Sequence, residues 1–116
     1  MNIPLFDGHC DALYKLMATP DQHLTDSDGQ WSLHRCQRFA PQAQVFAVFA
    51  DSAQPDVREQ AARQIQRMHQ ECALASDRIA LCTTGTQAEE AVAAGKLAAF
   101  LSVEGAELLD CSLEKL

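Results

Sequence analysis

A chain of 116 residues, 47% apolar and 22% charged, holds about one domain's worth of ordinary globular sequence. Sixteen Asp and Glu against nine Lys and Arg leave a net charge of −7, which excludes the basic stripe that a nucleic acid or an anionic membrane surface requires. Apolar runs stop at about seven residues, well short of the ~18–20 of a membrane span. Met1–Phe6 lacks a basic segment and runs into Asp7, so no secretory leader is expected. These features predict a soluble, cytoplasmic protein. The cysteines Cys10, Cys36, Cys72, Cys82 and Cys111 are odd in number and include no Cys-x-x-Cys pair, so reduced thiols are expected rather than a disulfide framework or a zinc ribbon.

Taken in chain order, Asn2–Asp11 reads as a strand, because Pro4 is tolerated at a strand's start and not within a helix. Leu13, Leu16 and Met17 give Ala12–Ala18 a helical spacing, with Pro20 as a stop. Thr19–Arg38 is polar and reads as a long loop with at most one helical turn, a length at which ordered loops are often functional. Gln44–Ala50 is a continuous β-branched and aromatic run, the pattern of a parallel strand buried on both faces. Asp56–Ser76 is the clearest helix, with a stripe of Val57, Ala61, Ile65, Met68 and Cys72 and a capping box from Asp56 and Glu59. A short strand at Arg78–Thr83 follows. Thr86–Ala94 reads as a helix with a Thr86/Glu89 capping box and Gly95 as its stop. Leu97–Val103 is a further apolar strand, closed by Glu104-Gly105, and Ser112–Leu116 resembles the opening of another helix without a stop signal. Strands alternating with helices predict an α/β fold with a mainly parallel sheet, and the unfinished last helix predicts a truncated domain.

Two places could carry chemistry. His9 and Asp11 flank Cys10 at the carboxyl end of the first strand, where alternation points positions i and i+2 the same way. An imidazole and a carboxylate aimed at one point suit a divalent metal such as zinc. The plainer alternative makes His9 a loop residue and Asp11 the cap of Ala12–Ala18. Glu104 ends the Leu97–Val103 run, where a carboxylate must be solvated, paired or bound to a metal, and Gly105 leaves room for close approach. The expectation is that these groups meet at the same end of two neighbouring parallel strands. Alternation turns Cys10 the other way, into packing between sheet and helices. His23, His34 and His69 sit at no strand end and read as surface or core-edge residues, and Trp31 reads as the anchor of its loop.

The runs Leu5-Phe6-Asp7-Gly8-His9-Cys10-Asp11, Gln44-Val45-Phe46-Ala47 and Gly95 to Gly105 together resemble the membrane (renal) dipeptidase family. The resemblance extends from Ile3 to Leu116, is weak over Thr19–Arg38, and finds Cys10 where many members have Asn. It implies the N-terminal portion of a TIM-like (β/α)8 metal-dependent hydrolase barrel, with residues 1–116 as a truncated segment of that single barrel. It further implies a zinc-dependent dipeptidase in which His9 and Asp11 bind the first of two zinc ions. Glu104 would bridge both ions and position the water that attacks the scissile carbonyl of a dipeptide substrate. The family's two remaining histidine ligands and its acidic proton shuttle would lie downstream of Glu104, and this chain extends only twelve residues past it. The isolated chain is therefore expected to be inactive, and either to associate through its open sheet edges, as in a homo-oligomer, or to be marginally stable. Two other readings stay open on the sequence: a related metal-dependent amidase or deacetylase, and a non-catalytic remnant or interaction module. Substrate side-chain preference, tolerance of a D-residue and the native metal are not legible in these residues.

Overall fold

The computed structural model describes residues 3–109 and 112–115. Four parallel strands form one sheet: β1 (Ile3–Cys10), β2 (Phe39–Phe49), β3 (Ile79–Leu81) and β4 (Leu97–Glu104). Between them lie α1 (Ala12–Ala18), the one-turn α2 (Leu33–Cys36), α3 (Val57–Leu74) and α4 (Gly85–Ala93). This is the expected alternation of parallel strands and helices. Sheet order departs from chain order, running β1-β2-β4-β3. One consequence corrects the sequence reading: the strands that carry His9 and Glu104 are not neighbours, because β2 lies between them.

The sheet separates two layers of packing. Phe46 and Val48 of β2 alternate onto one face, where they join Leu13 and Leu16 of α1, Ala61 and Met68 of α3, and the loop residues Leu24 and Trp31. Ala43 of β2 and Ala98 and Phe100 of β4 alternate onto the other, where Ala88, Ala91 and Val92 of α4 cover them. Phe46, Leu13, Leu16 and Met68 are fully buried. Truncating one of them to Ala removes about 2–5 kcal/mol.

Several boundaries moved for local reasons. β2 begins at Phe39 rather than Gln44, because β1 supplies it with partners from Ile3↔Phe39 onward. Pro41 is accommodated beside the register shift between Ile3 and Leu5. β3 contracts to Ile79–Leu81, the three residues that pair with β4. The cap of α4 is Thr84, two residues before the expected Thr86: its hydroxyl accepts from the Gln87 amide at 3.2 Å, and the Gln87 side chain accepts from the Thr83 amide at 2.7 Å. Gly95 ends α4 as expected, at φ 75°, with its amide on Val92 O and that of Lys96 on Ala91 O, the paired bonds of a Schellman motif. At α3 the expected Asp56/Glu59 box does not form. The Asp56 carboxylate instead accepts from Gln60 Nε2 at 2.9 Å and Arg63 at 3.0 Å.

The largest correction concerns the face that α3 buries. Ile65, expected in the core, is 37% exposed, while Gln64 and Glu71 are 1% and 2% exposed. Gln60, Gln64, Arg67 and Glu71 follow one another at helical spacing and hydrogen-bond outward to loops and strand ends. Burial of β4 on both faces also holds only for its first half, since Val103 is 53% exposed. The residues expected to begin a last helix form one 3₁₀ turn at Leu113–Lys115, with Leu116 and Cys111 outside the described residues.

Candidate metal centre

β1 does not deliver His9 by simple alternation. The pairing with β2 slips between Asp7 and Cys10, so three steps along β1 match two along β2. Such a bulge re-aims the side chains beside it. Asp7-Gly8 makes it, and the Asp7 carboxylate fastens it by accepting the His9 amide at 3.1 Å. Asp7 is thus a positioning residue that sequence spacing did not single out, although an Asp-Gly pair within an apolar strand is a turn signal. Cys10 falls on the opposite side, half-buried against the α1 and α3 core as expected. Burial pushes its thiol up to about 12, with the nearby Asp7 and Asp11 charges adding to the rise and the Ala12 amide opposing it.

Asp11 occupies the N-cap position of α1, yet its side chain makes no capping hydrogen bond. Its carboxylate faces the imidazole instead, with His9 Nε2 to Asp11 Oδ1 at 3.3 Å. The plain capping alternative is therefore not what the side chain does. Glu104 reaches the same nitrogen from across β2, with His9 Nε2 to Glu104 Oε2 at 3.5 Å. β2 holds Glu104 level with Phe49, the last pair of a seven-step ladder that starts at Ala43↔Ala98. Gln64 then fixes that strand end, accepting from the Phe49 amide at 3.2 Å and donating to its carbonyl at 2.5 Å. Beyond Glu104 the chain turns at Gly105, whose φ of 89° is one that residues with a Cβ rarely adopt.

One imidazole and two carboxylates thus offer ligand atoms within 4.8 Å of one another, on side chains about half exposed. The separations of 3.3 and 3.5 Å exceed the ~2.7–2.9 Å of a charge-assisted hydrogen bond. They match the edge of a tetrahedron with ~2.0–2.2 Å bonds to its centre, about 3.4 Å. The donor set and these two separations therefore suit a divalent ion such as zinc. His34 and His69 are exposed and stand apart from this cluster. His23 does more than expected, since its Nδ1 bonds the buried Glu71 at 3.0 Å.

Beside the cluster opens a cavity of about 680 Å³, lined by His9 and Asp11, by Tyr14 and Lys15 of α1, and by Ser27–Trp31 of the long loop. Trp31 stands edge-on to Phe46, with ring centroids 4.9 Å apart, so it anchors its loop as expected and walls the cavity as well. Tyr14 packs against Phe49 at 5.4 Å.

The class this sheet defines is α/β, with parallel strands alternating with helices and an imidazole and two carboxylates gathered at the strand ends. Over residues 1–116 the chain matches the membrane dipeptidase (peptidase family M19) model, and it belongs to that family. Among solved structures it is similar to the dipeptidase AC, a metallopeptidase of family M19, with 25% identity and a TM-score of 0.79 over 93% of this chain and 37% of that one. It is also similar to a metallopeptidase from Rhodobacter sphaeroides liganded with a phosphinate mimic of the dipeptide L-Ala-D-Ala, with 22% identity and a TM-score of 0.77 over 93% of this chain and 40% of the other. The chain thus spans about two-fifths of the structures it matches, and its fold is that of part of a (β/α)8-type barrel. No curated protein matches it significantly. Family membership implies a metal cofactor. Among the described residues no helix is long and apolar enough to cross a membrane.

Proposed function

We propose that residues 1–116 are the N-terminal segment of a zinc-dependent dipeptidase barrel, and that His9 and Asp11 hold the first of two zinc ions while Glu104 bridges both. The observation that carries this reading is the convergence of His9 on β1, Asp11 just beyond it and Glu104 on β4, at 3.3 and 3.5 Å, a spacing suited to a tetrahedral ion. Bound there, zinc would polarise a substrate carbonyl and bring the pKa of water towards neutrality. The chain's own contribution is to hold and orient. Asp7 sets the backbone of His9, and Gln64 sets the strand end level with Glu104, whose carboxylate would position the attacking water. The cavity beside the cluster suits a dipeptide, being within the ~300–1,000 Å³ of small-molecule sites and walled by the aromatic rings of Tyr14 and Trp31.

Zinc binding by the chain tests the ligand set without depending on turnover. One zinc per chain is expected, and His9→Ala, Asp11→Asn or Glu104→Gln should each weaken it at least tenfold. Uptake that is indifferent to all three would leave a remnant without the metal centre. In a protein extended to full barrel length, faster hydrolysis of dipeptides than of N-acyl amino acids is expected, and the reverse order would favour an amidase or deacetylase.

A further inference from the structure

Glu71 lies in the last turn of α3, at the end of the helix far from the metal-ligand cluster, and is 2% exposed. Its carboxylate accepts from Arg67 Nε at 2.8 Å, from the Leu24 amide at 2.9 Å and from His23 Nδ1 at 3.0 Å. Arg67 in turn donates to the Gln22 carbonyl and, at 3.4 Å, to that of Pro20. One buried ion pair thus takes up main-chain groups across residues 20–24. Burial pushes the Glu71 carboxyl up, but the bonds from Arg67, Leu24 and His23 outweigh it and hold the group below the ordinary glutamate range.

From that point the loop is tied to itself. The Leu33 amide donates to Leu24 O at 2.8 Å and that of His34 to Thr25 O at 2.9 Å. Ser27 Oγ donates to Trp31 O at 2.9 Å, and Arg35 donates to the carbonyls of Ser27 and Gly29. The tied unit ends as the cavity wall, Ser27 to Trp31, beside His9 and Asp11. Trp31 is 7% exposed, and its indole N–H is buried and meets no hydrogen-bond partner among the described residues.

We propose that Glu71 is a positioning residue for the substrate cavity: acting through Arg67, His23 and the Leu24 amide, it holds the 20–36 loop so that Trp31 walls the space beside His9 and Asp11. That role deepens the dipeptidase reading and rests on it for the meaning of the cavity. Trp31 is the sole tryptophan, so its fluorescence reports on the wall alone. In Glu71→Gln, acrylamide quenching of Trp31 should rise at least threefold while zinc affinity stays within twofold. The affinity of the zinc-loaded chain for a phosphinate dipeptide mimic, titrated directly, should fall at least tenfold. Unchanged quenching overturns the proposal, and so does a loss of zinc affinity in step with helix content, which would mark general destabilisation. If Glu71→Gln does not fold, His23→Ala and Arg67→Lys each remove part of the clamp. Increased quenching in both supports it, and unchanged quenching in both overturns it. A wild-type chain that takes up neither zinc nor the phosphinate would defeat the metal-centre reading, and the quenching comparison would still decide the clamp.

Discussion

Glu71 and Glu104 both face a histidine, and they do opposite things. Glu71 is buried, and an arginine, a histidine and a main-chain amide fill its lone pairs at 2.8 to 3.0 Å. Glu104 is about half exposed and shares the single nitrogen of His9 with a second carboxylate, at 3.5 and 3.3 Å. In the first case the protein supplies the cation and the donors, and the group closes a structure. In the second, two acidic side chains converge on one imidazole at distances too long for strong hydrogen bonds, the arrangement for which we propose a cation. On the two roles proposed, burial and the count of partners separate the carboxylates, whereas residue type alone does not.

The sharpest way to break this comparison is to remove each carboxylate and measure stability without metal. Glu71→Ala strands Arg67 in a buried site and should cost about 3–5 kcal/mol in urea unfolding. Glu104→Ala should change it by less than about 0.5 kcal/mol, as expected at an exposed position. Equal losses would mean that the two groups do the same work.

Adding zinc inverts the ranking. At a free concentration 100 times its dissociation constant, zinc should raise the wild type's unfolding free energy by about 2.7 kcal/mol. Glu104→Ala and His9→Ala should show little of this gain, while Glu71→Gln should keep it. A calorimetric scan with and without the metal reads all four proteins.

At Glu71, acid should show itself as a loss of stability. Its carboxyl lies below the usual 4.5 in the folded chain, so the unfolded state binds the proton more readily. The stabilisation is complete above about 4.5 and is lost as pH falls from there through the folded value. Urea midpoints between pH 6 and 3 should fall more steeply in the wild type than in Glu71→Gln, and parallel curves would deny the clamp its charge. The smallest effect is expected at Asp28, an exposed carboxylate 3.6 Å from Lys15 at the rim of the same cavity. Asp28→Asn should leave the unfolding midpoint where it is, since solvent screens such a pair.

Much of this molecule can be read from local pattern. The helix Ala12–Ala18, the strand pattern around Val45–Phe49, the stop at Gly95 and the three residues His9, Asp11 and Glu104 follow from short-range chemistry and, for the last three, from family resemblance. The clamp on α3 was not legible. A stripe of Gln60, Gln64, Arg67 and Glu71 has the polarity of a solvent-facing surface, and only its partners from the 20–24 loop and the ends of β2 turn it inward. The Asp7 bulge hid for a related reason: strand alternation predicts the same side for His9 and Asp11 whether or not the register slips.

Sequence by itself determined the elements, their alternation and the kind of donor at each strand end, because propensity, capping and hydrophobic periodicity act over a few residues. Tertiary structure decided the sheet order, which puts β2 between the two halves of the cluster, and the partners of buried polar groups such as Gln64 and Glu71. Those outcomes depend on contacts across tens of residues: Glu71 meets Leu24 at a separation of 47 in the chain, and His9 meets Glu104 over the top of an intervening strand. No window of sequence contains both members of such a pair, so burial and charge balance emerge only when the chain has closed upon itself.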